Sequence, residues 1–97
     1  MLPLLALAVS SCVHAPAPIR YACEDGRTLV ARYDGNRTVV EIGGVSHTLN
    51  VARSGSGARY VGDGLQWWTR GLSEATLAAL PSGEEIAPPG VRCVSPG

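Results

Sequence analysis

The chain has 97 residues, so it forms one domain at most, and its eight basic and eight acidic residues give a formal net charge of zero. Every basic residue is arginine, and the arginines are scattered among acidic residues instead of forming the basic stripe of a nucleic-acid binder. We therefore expect no nucleic-acid partner. In a processed chain of about 80 residues, the hydrophobic core alone gives only marginal stability, so a covalent cross-link is expected.

The N-terminus, residues 1–11, is predicted to be a signal peptide. Leu2 to Val9 is an apolar stretch of about eight residues, which suits such a peptide and is too short to span a bilayer. The residues Val9-Ser10-Ser11-Cys12 are similar to a bacterial lipobox, in which a branched apolar residue and two small ones precede a cysteine that is lipidated and becomes the new N-terminus. The alternative is a soluble secreted protein cut near Cys12. We favour the lipid anchor because it removes an unpaired secreted thiol.

Residues 12–19 are predicted to be the lipidated cysteine and a tether. Within them, His14-Ala15-Pro16-Ala17-Pro18 has proline at alternating positions, which favours extended polyproline geometry. The folded domain is expected over residues 20–97. From Tyr21 onward the pattern is one of short strands separated by glycine-containing turns, without a sustained helical period. After a first strand at Tyr21, strands are predicted over residues 27–33, 37–42, 45–51, 58–61, 65–69, 74–80 and 91–94.

Turns are predicted between these strands at Asp25-Gly26, 34–36, Gly43-Gly44, 62–64, Ser82-Gly83 and 88–90. The segment Glu74–Leu80 is ambiguous, because its alanine and leucine content favours a helix while its short length and its position among strands favour a strand. We predict a strand there. Evenly spaced short strands predict an all-β fold, either a small antiparallel barrel or a sandwich, and a barrel would also remove exposed strand edges.

Within the strand over residues 45–51, alternation predicts Val45, His47, Leu49 and Val51 on one face. Adjacent strand residues face opposite sides, so one of Trp67 and Trp68 should enter the core. The other should face outward, either as a contact anchor for a partner or as a cover over a barrel end.

Two of the three cysteines, Cys23 and Cys93, bracket the domain. A disulfide between them would close a loop of about 70 residues, which is worth roughly 4 kcal/mol against the unfolded chain. The alternative is a pair of buried free thiols, which would leave the stability of so small a domain unexplained. We therefore predict a disulfide that joins the N- and C-terminal parts of the domain.

Catalytic chemistry is poorly supported by the sequence. His14 lies in the tether, and the alternation around His47 predicts a packing residue facing inward or at a barrel end. A nucleophilic Ser54 or Ser56 would need a base and an orienting acid, and no nucleophile-elbow spacing surrounds them. No cysteine and histidine cluster has metal-ligand spacing. We expect no enzyme, no cofactor and no metal.

Several motifs together resemble the membrane-bound inhibitors of c-type lysozyme. They are Tyr21 followed by Cys23, the sequence Ser-Gly-Ser-Gly-Ala-Arg-Tyr over residues 54–60, Trp-Thr-Arg-Gly over 68–71, Glu-Ala-Thr over 74–76, and Cys93. The resemblance covers the whole domain. It implies an antiparallel barrel of eight strands that inserts an S-G-x-x-Y loop, here within Ser54–Tyr60, into the lysozyme cleft.

By this resemblance, Ser56, Gly57 and Tyr60 match the fixed positions of the loop motif. Trp67, Arg70 and Gly71 match a second motif, usually aromatic-x-x-Lys-Gly, in which this chain has arginine in place of the lysine. Arg59 beside the loop could supply a second cation toward the target, but we expect it to be an exposed residue of the barrel rim.

The resemblance also implies an anchor in the bacterial outer membrane, facing the periplasm, and a role in protecting peptidoglycan from c-type lysozyme. The alternative function is a non-inhibitory envelope lipoprotein that binds another periplasmic protein or a glycan. The oligomeric state, monomer or dimer, stays open.

Overall fold

The computed structural model describes residues 16–81 and 85–96, and these form an all-β domain. Its eight strands are β1 (Ile19–Cys23), β2 (Thr28–Asp34), β3 (Arg37–Ile42), β4 (Val45–Ala52), β5 (Ala58–Gly62), β6 (Leu65–Arg70), β7 (Glu74–Ala79) and β8 (Val91–Val94). No helix long and apolar enough to cross a membrane occurs in the described residues. The predicted signal peptide, Cys12, the beginning of the tether and the Ser82-Gly83 turn lie outside them.

The strands form a closed antiparallel barrel in chain order, which confirms the predicted fold class and decides against a sandwich. Each strand pairs with the next along the chain, and β8 pairs with β1 to complete the ring. The ambiguous segment Glu74–Leu80 forms a strand, as predicted, and this strand, β7, ends at Ala79. It pairs with β6 on one side and β8 on the other.

The interior of the barrel is filled by alternate residues from all eight strands. Trp67 and Tyr21 are its largest fully buried side chains, and their rings meet edge to face with centroids 5.0 Å apart. The other buried apolar members are Cys23, Leu29, Ala31, Val40, Leu49, Tyr60, Ala75, Leu77 and Cys93. Trp67 is therefore the core tryptophan that the alternation required, and its neighbour Trp68 faces outward.

The apolar face predicted for β4 is buried only near its middle. Leu49 is fully buried, whereas Val45 is 56% exposed and Val51 is 46% exposed. Both valines lie near the ends of an eight-residue strand, where the strand extends past the packed centre of the barrel. Alternation predicted the side of the sheet correctly but could not show how far along the strand the core reaches.

The meander places alternate connections at the same end of the barrel. One end, here called the loop end, carries residues 35–36, 53–57 and 71–73, together with the start of β1. The opposite end, the turn end, carries residues 24–27, 43–44 and 63–64. The residues that the two sequence motifs singled out, apart from Tyr60 within β5, therefore lie at or beside the loop end.

The predicted disulfide between Cys23 and Cys93 is present. It joins β1 to β8, whose pairing is limited to Ala22 with Val94 and Cys23 with Cys93. Every other neighbouring pair of strands shares a longer register than this. The bond therefore reinforces the shortest junction of the barrel.

Replacing both cysteines by serine should lower the free energy of unfolding by about 4 kcal/mol, because the unfolded chain regains the entropy of a long open loop. Urea unfolding followed by tryptophan fluorescence measures this change. Reducing the unmodified protein should give the same shift. A loss below about 1 kcal/mol in both experiments would show that strand pairing alone closes the barrel.

Candidate functional site

The Ser/Gly loop, residues 53–57, joins β4 to β5 at the loop end and is held through its backbone. The indole Nε1 of Trp68 donates to the carbonyl oxygen of Ser56 over 2.8 Å, and the Ser54 hydroxyl donates to the Gly57 carbonyl over 3.3 Å. Ser56 itself is exposed, and its hydroxyl forms no hydrogen bond with any residue in the described part of the chain. The backbone of the loop is thus fixed, while the hydroxyl of Ser56 remains available to a partner.

Gly57 is required at its position for two reasons. Its φ of 65° lies in the left-handed region that side chains disfavour. A Cβ atom there would also lie 2.2 Å from the carbonyl oxygen of Thr69. The loop can therefore approach β6 this closely only because residue 57 has no side chain.

The second loop, residues 71–73, begins immediately after the exposed Arg70 at the end of β6. Gly71 has a φ of 63°, but space around its Cα is open, so glycine is favoured there by conformation alone. Leu72 is 58% exposed, and its carbonyl oxygen accepts a 2.7 Å hydrogen bond from the hydroxyl of Tyr21. The tip of this loop is thereby tied to a core residue.

A chain of hydrogen bonds continues from Leu72 into the barrel. A carbonyl can only accept, so Tyr21 uses its single hydroxyl proton on Leu72, and Tyr33 must donate to Tyr21 across 2.8 Å. The indole N–H of Trp67 in turn donates to Tyr33 over 2.9 Å. Burial raises the pKa of both tyrosines, so both phenols remain neutral and able to donate.

Arg70 is left without its expected cross-strand partner. Glu74 lies directly opposite Arg70 in the β6–β7 register, but its carboxylate bonds the Arg92 Nε over 3.0 Å, and this contact raises the pKa of Arg92. Arg92 is also 3.7 Å from Glu24. Within residues 16–81 and 85–96, no carboxylate lies within 4 Å of the Arg70 guanidinium. Its charge is therefore available for an acidic partner.

A surface groove of about 350 Å³, here called the site groove, joins the two motifs. It is lined by Ser56, Trp68, Arg70, Glu74, Ala75, Thr76 and Pro89. The structure therefore brings Ser56 and Arg70, which were predicted from separate stretches of sequence, to the same depression. Trp68 forms part of its wall.

Tyr60 lies apart from the other motif residues because its side chain points into the barrel. It is 8% exposed, and its ring packs against Tyr33 with a centroid separation of 5.9 Å. A side chain this buried offers little surface to a partner. The position of Tyr60, two residues into β5, indicates that it anchors the strand that follows the Ser/Gly loop.

The expectation that Arg59 is exposed at the rim is wrong, because its side chain is only 5% exposed. It lies on the outer face of β5, and the segment 85–90, here called the outer segment, covers it. Gln66 on the neighbouring strand is fully buried by the same segment, donating to the Ala87 carbonyl over 2.9 Å and accepting from the Ala87 amide over 3.1 Å. Pro89 of the outer segment reaches the site groove.

Sequence reasoning missed the outer segment as part of the site. The run Pro88-Pro89-Gly90 predicts a turn, whereas the segment packs against β7 so closely that a Cβ on Gly90 would lie 2.0 Å from the Leu77 carbonyl. Gly90 was the one residue in the sequence that could have indicated this close packing. Glycine next to two prolines is, however, equally typical of an exposed turn.

The arrangement gives no support to a serine hydrolase. His47, the one histidine in the described residues, bonds Asp63 through Nδ1 and Oδ2 over 2.5 Å near the turn end. Ser54 and Ser56 lie at the loop end, so this histidine is not placed to serve either as a base. In the described ranges no group of three or more histidine, cysteine or acidic residues could hold a metal ion.

A family model described as membrane-bound lysozyme-inhibitor of c-type lysozyme matches residues 21–85, which include both loops, the last three residues of β1 and all of β2 to β7. The chain belongs to this family. The match stops before β8, and so before Cys93 and most of the outer segment.

Among individual proteins, this family member is similar to a membrane-bound lysozyme inhibitor of C-type lysozyme from Cupriavidus necator. The two are 39% identical over an alignment of 79 residues, and this alignment covers 77% of this chain and 62% of the relative. The matched part of this chain thus spans somewhat less than two thirds of that relative's length. No solved structure matches the chain.

Replacing Gly57 by alanine should destabilise the protein by about 2 kcal/mol, because the left-handed backbone and the contact with Thr69 both oppose a side chain. The matched control is Gly55→Ala in the same loop, where space is open and the change should stay within about 0.5 kcal/mol. Thermal unfolding of the two variants provides the comparison. Equal effects at both positions would contradict the close approach of the loop to β6.

Proposed function

We propose that this protein inhibits c-type lysozyme by inserting the Ser/Gly loop into the active-site cleft of the enzyme, and that it is not itself an enzyme. The observation that carries the proposal is the Ser56 hydroxyl, exposed on a loop whose backbone is fixed by Trp68. Membership of the lysozyme-inhibitor family and the name of the Cupriavidus necator relative support the same partner.

The chemistry of the target explains why a serine suits this position. Glycosidases of this type use two carboxyl groups that flank the scissile bond, one protonated as the acid and one ionised. A hydroxyl can donate to the ionised carboxylate and accept from the protonated one. Because Gly55 and Gly57 flank Ser56, the loop tip is narrow enough to bring a small side chain between two such groups.

Arg70 is proposed to contribute a cation toward acidic residues around the lysozyme cleft. Its guanidinium is exposed beside the site groove, and the adjacent Glu74 is already engaged by Arg92. Arginine differs from the usual lysine in presenting a planar fork of donors, so it favours a bidentate carboxylate partner. Gly71 would set the conformation of the turn beside Arg70. Tyr60 would contribute from the core, by anchoring the strand that follows the Ser/Gly loop.

We further propose that the domain, residues 20–97, is displayed from a membrane. In this arrangement residues 1–11 are removed as a signal peptide, Cys12 carries the lipid, and residues 12–19 form the tether. The name of the family supports membrane association. An outer-membrane anchor facing the periplasm would place the inhibitor beside the peptidoglycan that lysozyme attacks.

The test is inhibition of cell-wall lysis by a c-type lysozyme, using a soluble form that begins at Val13. Ser56→Ala should weaken inhibition by about tenfold or more, because hydrogen bonds to charged groups are worth roughly 1.5 to 3 kcal/mol. Its melting temperature should not change, since the hydroxyl has no bond among the described residues.

The matched control is Ser46→Ala, an exposed serine on β4 near the turn end, which should leave both inhibition and melting temperature unchanged. Absence of inhibition by the unmodified protein at micromolar concentration would contradict the proposed function and favour an envelope lipoprotein with another protein or glycan partner. If Ser56→Ala lowers inhibition and melting temperature together, the serine is structural and the insertion mechanism fails.

A further inference from the structure

Arg59 is a buried cation on the outside of the barrel, and its contacts diverge in three directions. Its Nε donates to Gln66 Oε1 over 3.0 Å, and one Nη donates to the Arg53 carbonyl over 3.1 Å. The other Nη donates to the carbonyl of Glu85. Each of these partners is a side-chain or backbone carbonyl oxygen.

These three contacts belong to three different parts of the site. Arg53 is the first residue of the Ser/Gly loop, and Glu85 is the first residue of the outer segment. Gln66 lies on β6 and holds the outer segment a second time through Ala87. One guanidinium therefore connects the loop, the barrel wall and the outer segment.

The same guanidinium also contacts the residue that holds the tip of the loop. Its central carbon lies 5.8 Å from the centroid of the Trp68 ring, within the range of a cation–π contact. The indole N–H of Trp68 bonds the Ser56 carbonyl. Arg59 thus supports the loop at its first residue directly and at its tip through Trp68.

The barrel does not require a charge at this position. Position 59 is on the outer face, opposite Trp68 in the register, and β5 is paired through its backbone whichever side chain stands there. Burying a charged group is costly unless hydrogen bonds satisfy it. A planar group with five fixed donors can satisfy three separated carbonyls at once, which a lysine or an apolar side chain cannot do in the same geometry.

We propose that Arg59 is a positioning residue for the inhibitory surface, holding the Ser/Gly loop and the outer segment at the separation that forms the site groove. Ser56 and Pro89, one from each of these two elements, line that groove. The effect of Arg59 on lysozyme rests on the proposed function, whereas its effect on the order of the two elements does not.

The experiment compares Arg59→Met and Arg59→Lys with the unmodified protein by hydrogen–deuterium exchange and by lysozyme inhibition. Methionine removes all three hydrogen bonds, and lysine keeps the charge but loses the planar fork. In Arg59→Met, the amides of residues 53–57 and 85–87 should exchange about tenfold faster or more, and inhibition should weaken by about tenfold or more. For Arg59→Lys, both the exchange rates and the inhibition should lie between those of the unmodified protein and those of Arg59→Met. Amides of β2 and β3 should be unchanged.

Arg27→Met is the matched control, because Arg27 is exposed and pairs with Asp25 at the turn end, away from both elements. It should alter neither measurement.

Unchanged exchange in residues 53–57 and 85–87 would overturn the proposal, as would faster exchange there with undiminished inhibition. Uniformly faster exchange in all strands of both variants would show that Arg59 serves overall stability, and would also overturn it. If the unmodified protein does not inhibit, the proposed function fails, while the exchange data still decide whether Arg59 orders the two elements.

Discussion

The register between β5 and β6 is the constraint on which both the core and the site depend. It sets Tyr60 opposite Trp67 and Arg59 opposite Trp68. Because strand side chains alternate, the first pair enters the barrel and the second faces outward. A slip of one residue would put the guanidinium among the apolar residues of the interior and expose the largest core side chain. Burial of one face therefore specifies this register strongly. The pairing of β5 with β6 that fills the core also places Trp68 in the wall of the site groove.

Because of this register, the Ser/Gly loop and the second loop are held by residues on opposite faces of the sheet. Inside, Trp67 begins the hydrogen-bond chain that ends at the carbonyl of Leu72 and fixes the second loop. Outside, Trp68 bonds the carbonyl of Ser56 and fixes the tip of the Ser/Gly loop. Two adjacent tryptophans thus fix two different loops at one end of the barrel. Such rigidity benefits an inhibitor, because a preordered loop loses less conformational entropy on binding.

Much of the fold could be predicted from the sequence, because glycine-containing turns and β-branched runs mark strand boundaries locally. The hairpin at Gly43-Gly44 and the strand Val91–Val94 were found where they were predicted. Ser56 and Arg70 were selected from their motifs, and the structure places both at the site groove, while their contact with lysozyme stays a prediction. The burial of Arg59 was not, because alternation distinguishes only the two faces of a strand. Whether a distant segment such as residues 85–90 covers the outer face depends on tertiary packing that no local pattern records.

In the proposed complex, the loop end of the barrel, with Ser56 at its tip, enters the lysozyme cleft. The most direct measurement is the change in amide chemical shifts of the isotope-labelled protein when an unlabelled c-type lysozyme is added. Insertion of the loop end should give the largest changes in residues 53–57 and 71–73, and none around Asp25-Gly26 or Gly43-Gly44 at the turn end. Changes concentrated at the turn end, or none at saturating lysozyme, would contradict it.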